Sequence, residues 1–143
     1  MNTGAKELKS ILEELDELNL NHMAEALEDL YNQPAFVNAG RLELISAIIH
    51  AEYTATIDKR YTSRLKKAKL KGNDNCLDQC VDSKERQYQP QDIIQTLSSL
   101  KFIPNGLNLC IFGASDSGKT YLARALGAEA CREYRVGYYH CDD

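Results

Sequence analysis

The chain has 143 residues, of which 43% are hydrophobic and 27% are charged, and its formal net charge is −4. No apolar run approaches the ~20 residues that cross a bilayer, and the polar start lacks a signal-peptide pattern, so a soluble, cytoplasmic protein with no membrane partner is predicted. The five cysteines are odd in number and lack paired Cys-x-x-Cys spacing, which argues against a disulfide framework and favours reduced thiols.

The first 72 residues predict a helical N-terminal domain. Apolar residues recur at spacings of three and four over residues 6–18 and 22–31, with Asn21 placed to cap the second helix. A third, longer helix is predicted from near Gly40 to near Gly72. We expect its apolar residues to face inward: Leu42, Ile45, Ile48, Ile49, Ala51, Ile57, Tyr61, Leu65 and Ala68.

Charge is segregated along these helices. Residues 1–58 carry three cations against eleven acids, whereas residues 59–71 carry seven cations and no acid. A cationic block of this density attracts a phosphate backbone, although a solvated helix end that places cations near its last carbonyls has the same appearance. The candidate DNA contacts are Lys59, Arg60, Arg64, Lys66, Lys67, Lys69 and Lys71.

Residues 73–90 are polar and lose the helical period, which predicts an inter-domain linker. A short helix around Ile93 to Leu100 follows and opens the second predicted domain, residues 91–143. In this domain residues 107–112 and 135–141 are predicted strands, with a helix over residues 119–134 between them. Asp142 and Asp143 then fit the N-cap of a further helix better than a catalytic acid pair.

The eight residues 113–120 fit the phosphate-loop pattern G-x-x-x-x-G-K-[ST] between a predicted strand and a predicted helix. In such a loop, backbone N–H groups surround phosphates, Lys119 reaches the terminal phosphates, and the Thr120 hydroxyl binds Mg²⁺. The expected ligand is a nucleoside triphosphate with Mg²⁺. The candidate cofactor-binding residues are Gly113, Ala114, Ser115, Asp116, Ser117, Gly118, Lys119, Thr120 and Tyr121.

Asp116 places a carboxylate where many such loops have glycine, and its charge is expected to weaken nucleotide binding without changing the identity of the site. A separate feature argues against hydrolysis. Phosphoryl transfer needs an acidic residue at the end of another strand and a cation for the developing charge, and the sequence offers no convincing candidate for either. A zinc site is not indicated, because no recognised spacing joins Cys76 and Cys80 to His140 and Cys141.

Several separated motifs resemble those of IstB-like transposition helper ATPases, which are related to DnaC-type helicase loaders. Residues 20–27 resemble the family's L-x-x-M-A-E-A-L signature, and residues 64–68 resemble the R-R-L-K-x-A ending of its long helix. Residues 108–113 and 118–127 resemble its N-L-h-h-x-G and G-K-T-Y-L-A-x-A-L-G runs. The motifs occur in the family's order across nearly the whole chain.

The resemblance implies an AAA+ ATPase that binds ATP and double-stranded DNA, forms homo-oligomers, and assists a transposase or a replicative helicase. The family's acidic Mg²⁺ strand, sensor residues and arginine finger have no counterpart here. We therefore expect an N-terminal fragment, with a mainly α domain followed by the start of an α/β P-loop domain, that binds ATP without hydrolysing it. The alternative is a non-enzymatic helical module that binds DNA or a partner and carries a vestigial nucleotide site.

Overall fold

The structure, a computed structural model, describes residues 3–72, 76–82 and 87–140. These ranges contain five α-helices and two 3₁₀ helices: α1 (Thr3–Glu17), α2 (Asn21–Tyr31), a 3₁₀ helix (Pro34–Val37), α3 (Arg41–Lys67), a second 3₁₀ helix (Leu77–Gln79), α4 (Ile93–Ser98) and α5 (Lys119–Ala130). The chain forms two compact units, Met1–Lys59 and Arg60–Asp143, and their boundary falls inside α3. None of the described helices is long and apolar enough to cross a membrane.

The first unit is helical, as its apolar period predicts. α1 and α2 contact each other, and Ala24 of α2 is buried between surrounding side chains. After α2 ends, Pro34 begins the 3₁₀ helix, and the Phe36 ring lies against the Tyr31 ring with centroids 5.3 Å apart. The helices predicted over residues 6–18 and 22–31 therefore form with slightly different ends.

The predicted cap of α2 is wrong. Asn21 lies in the first turn of α2, the N-cap is Leu20, and no side chain caps the helix locally. Instead, Oε2 of Glu52 in α3 accepts hydrogen bonds from the main-chain N–H groups of His22 and Met23, at 3.1 and 3.3 Å. These groups lack intrahelical acceptors, so a carboxylate from a distant helix satisfies them.

The prediction that the apolar residues of α3 face inward is wrong for part of the helix. Leu42, Ile45 and Ile49 are 82%, 52% and 53% exposed, and Tyr53 is 62% exposed on the same face. Ala68, at the far end of the predicted segment, is buried. Periodicity identifies the apolar face of a helix, but burial also requires an element that packs on that face.

The core of the second unit brings α4 and α5 together with the second 3₁₀ helix. Its buried residues are Leu77, Cys80, Leu97, Leu100, Leu122, Ala125, Leu126 and Ala130. Leu77 and Cys80 come from the segment that the sequence presents as a polar linker, and they are 8% and 2% exposed. The described part of that segment is therefore packed onto the helix that follows the phosphate-loop motif.

The two predicted strands do not form a β-ladder in the described part of the chain. Residues 107–112 and 135–140 have no regular secondary structure, while Cys141 and the acids Asp142 and Asp143 lie outside the described residues. A strand is held by ladder hydrogen bonds to a neighbouring strand, and the two segments do not pair with each other. The helix predicted over residues 119–134 is observed as α5 and ends at Ala130, followed by turns.

Candidate nucleotide site and basic helix end

The phosphate-loop motif lies between residues 107–112 and the N-terminus of α5. Its backbone takes left-handed conformations at Asp116, with φ of 58°, and at Gly118, with φ of 89°. Gly118 is the N-cap of α5 and has no side chain to satisfy the first-turn N–H groups. Those groups lack intrahelical acceptors, and together with the helix dipole they make this end of α5 suited to an anion.

Lys119 folds over the loop that precedes it. Its ammonium Nζ donates a hydrogen bond to the Gly113 carbonyl at 2.9 Å and another to the Ala114 carbonyl. These two carbonyls hold the cation against the loop that leads into α5.

The loop is packed tightly at Gly113. A Cβ atom at this position would lie 2.8 Å from Oγ of Ser117, closer than real Cβ atoms approach a side chain. A side chain here would force the Ser117 side chain to move. This close approach favours glycine at the first position of the motif.

A cavity of about 270 Å³ lies against the loop and includes two residues that the sequence did not single out. Gln87 and Tyr88 line it together with Gly113, Ser117 and Lys119. Both belong to the predicted linker, whose polar composition carries no periodic signal. Only tertiary proximity identifies them as neighbours of the loop.

Tyr121, a candidate cofactor-binding residue, hydrogen-bonds through its hydroxyl to residues in and next to the second 3₁₀ helix. The hydroxyl donates to Oε1 of Gln79 at 2.6 Å and accepts from the Cys76 N–H at 3.2 Å. Thr120, the candidate Mg²⁺ ligand, is exposed in the first turn of α5. Within the described ranges, no group of three or more His, Cys, Asp or Glu side chains could hold a metal ion.

Most candidate DNA-binding residues are exposed. In the second unit these are Arg60, Lys66, Lys67, Lys69 and Lys71, and Lys59 is exposed at the end of the first unit. Arg64 differs from them because it is half-buried. Its Nη1 donates to the carbonyl oxygens of Cys131 and Arg132 at 3.2 and 2.7 Å, just beyond the C-terminal end of α5.

A cation–π pair and an apolar cluster accompany the Arg64 contact. The Arg132 guanidinium lies 5.0 Å from the centroid of the Tyr61 ring and forms a 2.9 Å ion pair with Glu129. The hydrogen bond and charge of Glu129 raise the pKa of Arg132, while burial raises the pKa of the Tyr61 phenol. The buried residues of this cluster are Ala68, Leu70 and Cys131.

The chain matches the family model described as IstB-like ATP binding protein over residues 13–143. This chain belongs to the IstB-like ATP-binding protein family. It is 34% identical over 122 residues to an ATP-binding protein of insertion sequence IS1162 from Pseudomonas fluorescens. It is 26% identical over 119 residues to an ATP-binding protein of insertion sequence IS21 from Pseudomonas aeruginosa.

The IstB-like chain spans about half the length of the curated relatives that it matches. The IS1162 match covers 85% of this chain and 52% of the relative, and the IS21 match covers 81% and 43%. A further relative, the insertion sequence ATP-binding protein y4pL of Sinorhizobium fredii, is 28% identical over 90% of this chain and 51% of its own length. No solved structure gives a significant match.

Proposed function

We propose that this IstB-like chain binds ATP with Mg²⁺ at residues 113–120 and acts as an ATP-binding helper in insertion-sequence transposition. The observation that carries the proposal is the Lys119 ammonium, which donates hydrogen bonds to the Gly113 and Ala114 carbonyls of the loop that leads into α5. A cation in such a loop, followed by the N-terminus of a helix, suits the terminal phosphates of a nucleotide. The names of the relatives, ATP-binding proteins of insertion sequences, support the same ligand and setting.

The loop residues fit the phosphate group. Gly113 leaves its part of the loop free of a side chain, and the adjoining cavity of about 270 Å³ offers space beside the loop for further parts of a nucleotide. Thr120 would hold Mg²⁺ through its hydroxyl, and the bound ion would neutralise phosphate charge. Tyr121 supports the site indirectly through its hydrogen bonds to Gln79 and Cys76.

ATP titration tests this proposal. We expect a fluorescent ATP analogue with Mg²⁺ to bind the wild type weakly and Lys119→Ala at least tenfold more weakly, because a charge-assisted contact is lost. Lys101→Ala is the matched control, since Lys101 is an exposed lysine of the same unit outside the loop. Equal binding by the wild type and Lys119→Ala would refute the nucleotide site.

We propose further that the chain binds ATP without steady turnover. Phosphoryl transfer needs an acidic partner for Mg²⁺ and water and a cation on the transferring group, and the sequence contains no convincing counterpart of these groups. Phosphate release should therefore equal that of Lys119→Ala. Release above that variant would show that the chain, or a second copy, completes the site.

We infer that double-stranded DNA contacts the exposed cations between Arg60 and Lys71. The support is a run of five exposed Lys and Arg side chains in the second unit without an acid among them. Binding of this kind is sequence-tolerant and weakens with salt, because each phosphate contact releases condensed counterions.

A transposase is the proposed protein partner of this chain, and a replicative helicase is the alternative. A homo-oligomer is the proposed assembly of the full-length form.

A further inference from the structure

The helix α5 is contacted near both ends by residues that precede it in the chain. At its start lie the phosphate loop and the Tyr121 hydroxyl, which joins Gln79. Beyond its end lie the carbonyls of Cys131 and Arg132, which accept from Arg64 of α3. The two ends are ~18 Å apart, since α5 has 12 residues and each adds ~1.5 Å.

The contact at the C-terminal end is close-packed. Cys131 is 0% exposed and Leu70 is 3% exposed, and a Cβ added to Gly127 would lie 3.1 Å from Cδ1 of Leu70. The backbone of α5 therefore lies against the residues that directly follow α3. Separating these surfaces would expose the Cys131 thiol to solvent.

Among the seven clustered cations, Arg64 is the one that donates hydrogen bonds to the end of α5 in the described part of the chain. Carbonyls at a helix C-terminus carry partial negative charge and lack intrahelical donors, so a guanidinium that spans two of them caps the helix. Lys67, one turn further along α3, is exposed. The two residues carry the same charge and differ in what they contact.

We propose that Arg64 is a positioning residue of the nucleotide site, which it holds through α5, and that nucleotide binding in turn strengthens the docking of residues 60–70 on α5. The proposal rests on the nucleotide binding proposed above. It removes Arg64 from the set of phosphate contacts on DNA.

Thermodynamic linkage gives the proposal a magnitude. If Cys131 becomes accessible through openings that also disrupt the start of α5, a ligand bound there suppresses those openings by the factor 1 + [L]/Kd. At an ATP concentration of about nine times Kd, the rate of Cys131 modification should fall about tenfold. A contact that only stabilises the cluster locally would not respond to ATP.

The experiment measures alkylation of Cys131 by iodoacetamide, with site-resolved mass spectrometry and a free thiol peptide as the reagent control. Wild-type protein is compared with and without Mg-ATP at nine times its Kd. Arg64→Gln is compared with Lys67→Gln, which makes the same change of charge one turn away. Circular dichroism establishes that each variant is folded at the temperature used.

We expect Cys131 to be alkylated at least tenfold faster in Arg64→Gln than in the wild type. This variant should also bind Mg-ATP about tenfold more weakly. Mg-ATP at nine times the variant's own Kd should no longer protect its Cys131 from alkylation. Lys67→Gln should change each quantity less than twofold. Arg64→Lys keeps the charge but replaces the planar guanidinium by an ammonium on a different stem, so it should restore part of the protection. It replaces Arg64→Gln as the deciding variant if Arg64→Gln does not fold.

Two results would overturn the inference, and they differ from failure of the proposed function. An unchanged rate of Cys131 alkylation in folded Arg64→Gln would show that Arg64 does not hold residues 60–70 against α5. Binding of ATP without protection of Cys131 in the wild type would show that the two ends of α5 are not coupled. Absence of ATP binding by the wild type would instead refute the nucleotide site, and the coupling with it, whatever the effect of Arg64→Gln on Cys131.

Discussion

Oε2 of Glu52 lies 3.1 Å from the main-chain nitrogen of His22, and this carboxylate caps α2 in place of a local residue. The same oxygen accepts from the Met23 N–H at 3.3 Å. One side chain therefore satisfies two N–H groups of α2 and fixes α2 against α3 within the first unit. Its negative charge also lies at the positive end of the α2 dipole.

Glu52→Ala should lower the free energy of unfolding of the first unit by about 1–2 kcal/mol, because the cap and its charge are lost. Glu52→Gln should recover part of this loss, since an amide oxygen still accepts a hydrogen bond. Urea unfolding followed by circular dichroism measures both. Glu28→Ala, at an exposed position of α2, is the control. If Glu28→Ala lowers the free energy of unfolding equally, the Glu52 cap does not stabilise the unit more than an ordinary exposed glutamate does.

Asp116→Gly should strengthen Mg-ATP binding several-fold. Asp116 has φ of 58°, a left-handed conformation that glycine adopts more easily than aspartate, and its carboxylate adds negative charge to a phosphate loop. Asp116→Asn separates the two effects, because asparagine keeps a side chain of similar size and conformational preference and lacks the charge. Titration with the fluorescent ATP analogue decides: weaker binding by both variants would mean that the carboxylate supports the loop.

Neutralising the exposed lysines should reduce the salt dependence of DNA binding. About four phosphate contacts correspond to a slope of log K against log salt of about −4, and removing three contacts should raise it to about −1. The variant is Lys66→Gln, Lys67→Gln and Lys71→Gln together, measured by fluorescence anisotropy on duplex DNA. The control makes the same change of charge in the first unit, where Lys6, Lys9 and Arg41 are each changed to Gln. An equal reduction in the salt dependence of this control would contradict a DNA contact at the cations between Arg60 and Lys71.

Alkaline pH should destabilise the second unit through Cys131. Burial raises the pKa of the Cys131 thiol above its ordinary value, and the Arg64 guanidinium opposes this only in part. The unfolded chain then loses the thiol proton first, so stability is complete below about pH 8.5 and falls as pH rises toward the pKa of the folded state. The limiting slope is about 1.4 kcal/mol per pH unit for one proton.

Thermal unfolding between pH 8.0 and 9.5 measures this effect below the range in which Tyr61 ionises, since burial also raises the pKa of that phenol. Cys131→Ala should show a shallower decline than the wild type. Parallel curves for the two proteins would mean that other groups cause the alkaline loss.

The local features of this protein follow from short stretches of sequence. The helices α1, α2 and α5 form where apolar spacing and the loop motif predict them, because a helix is specified by residues three and four positions apart. The family is also readable from the chain, since its motifs occur in order, and the match over residues 13–143 confirms it. The nucleotide and DNA contacts remain predictions that the sequence motivates.

The sequence did not reveal which surfaces of these helices meet. It assigned the cap of α2 to Asn21, and it gave no sign that Arg64 contacts the end of α5. The structure pairs Glu52 with residues about 30 positions earlier and Arg64 with carbonyls 67 and 68 positions later. It also leaves Leu42 and Ile49 exposed on a face that the periodicity marks as apolar.

The sequence by itself therefore determined the helices, the phosphate-loop motif, the cationic segment and the family. Only the tertiary structure decided that Glu52 caps α2, that Arg64 contacts the end of α5, and that Gln87 and Tyr88 line the cavity beside the loop. The physical reason is the separation along the chain of the residues that determine each feature. Backbone conformation and helical period depend on neighbouring residues, whereas a cap, a buried face or a cavity depends on surfaces that only folding brings together.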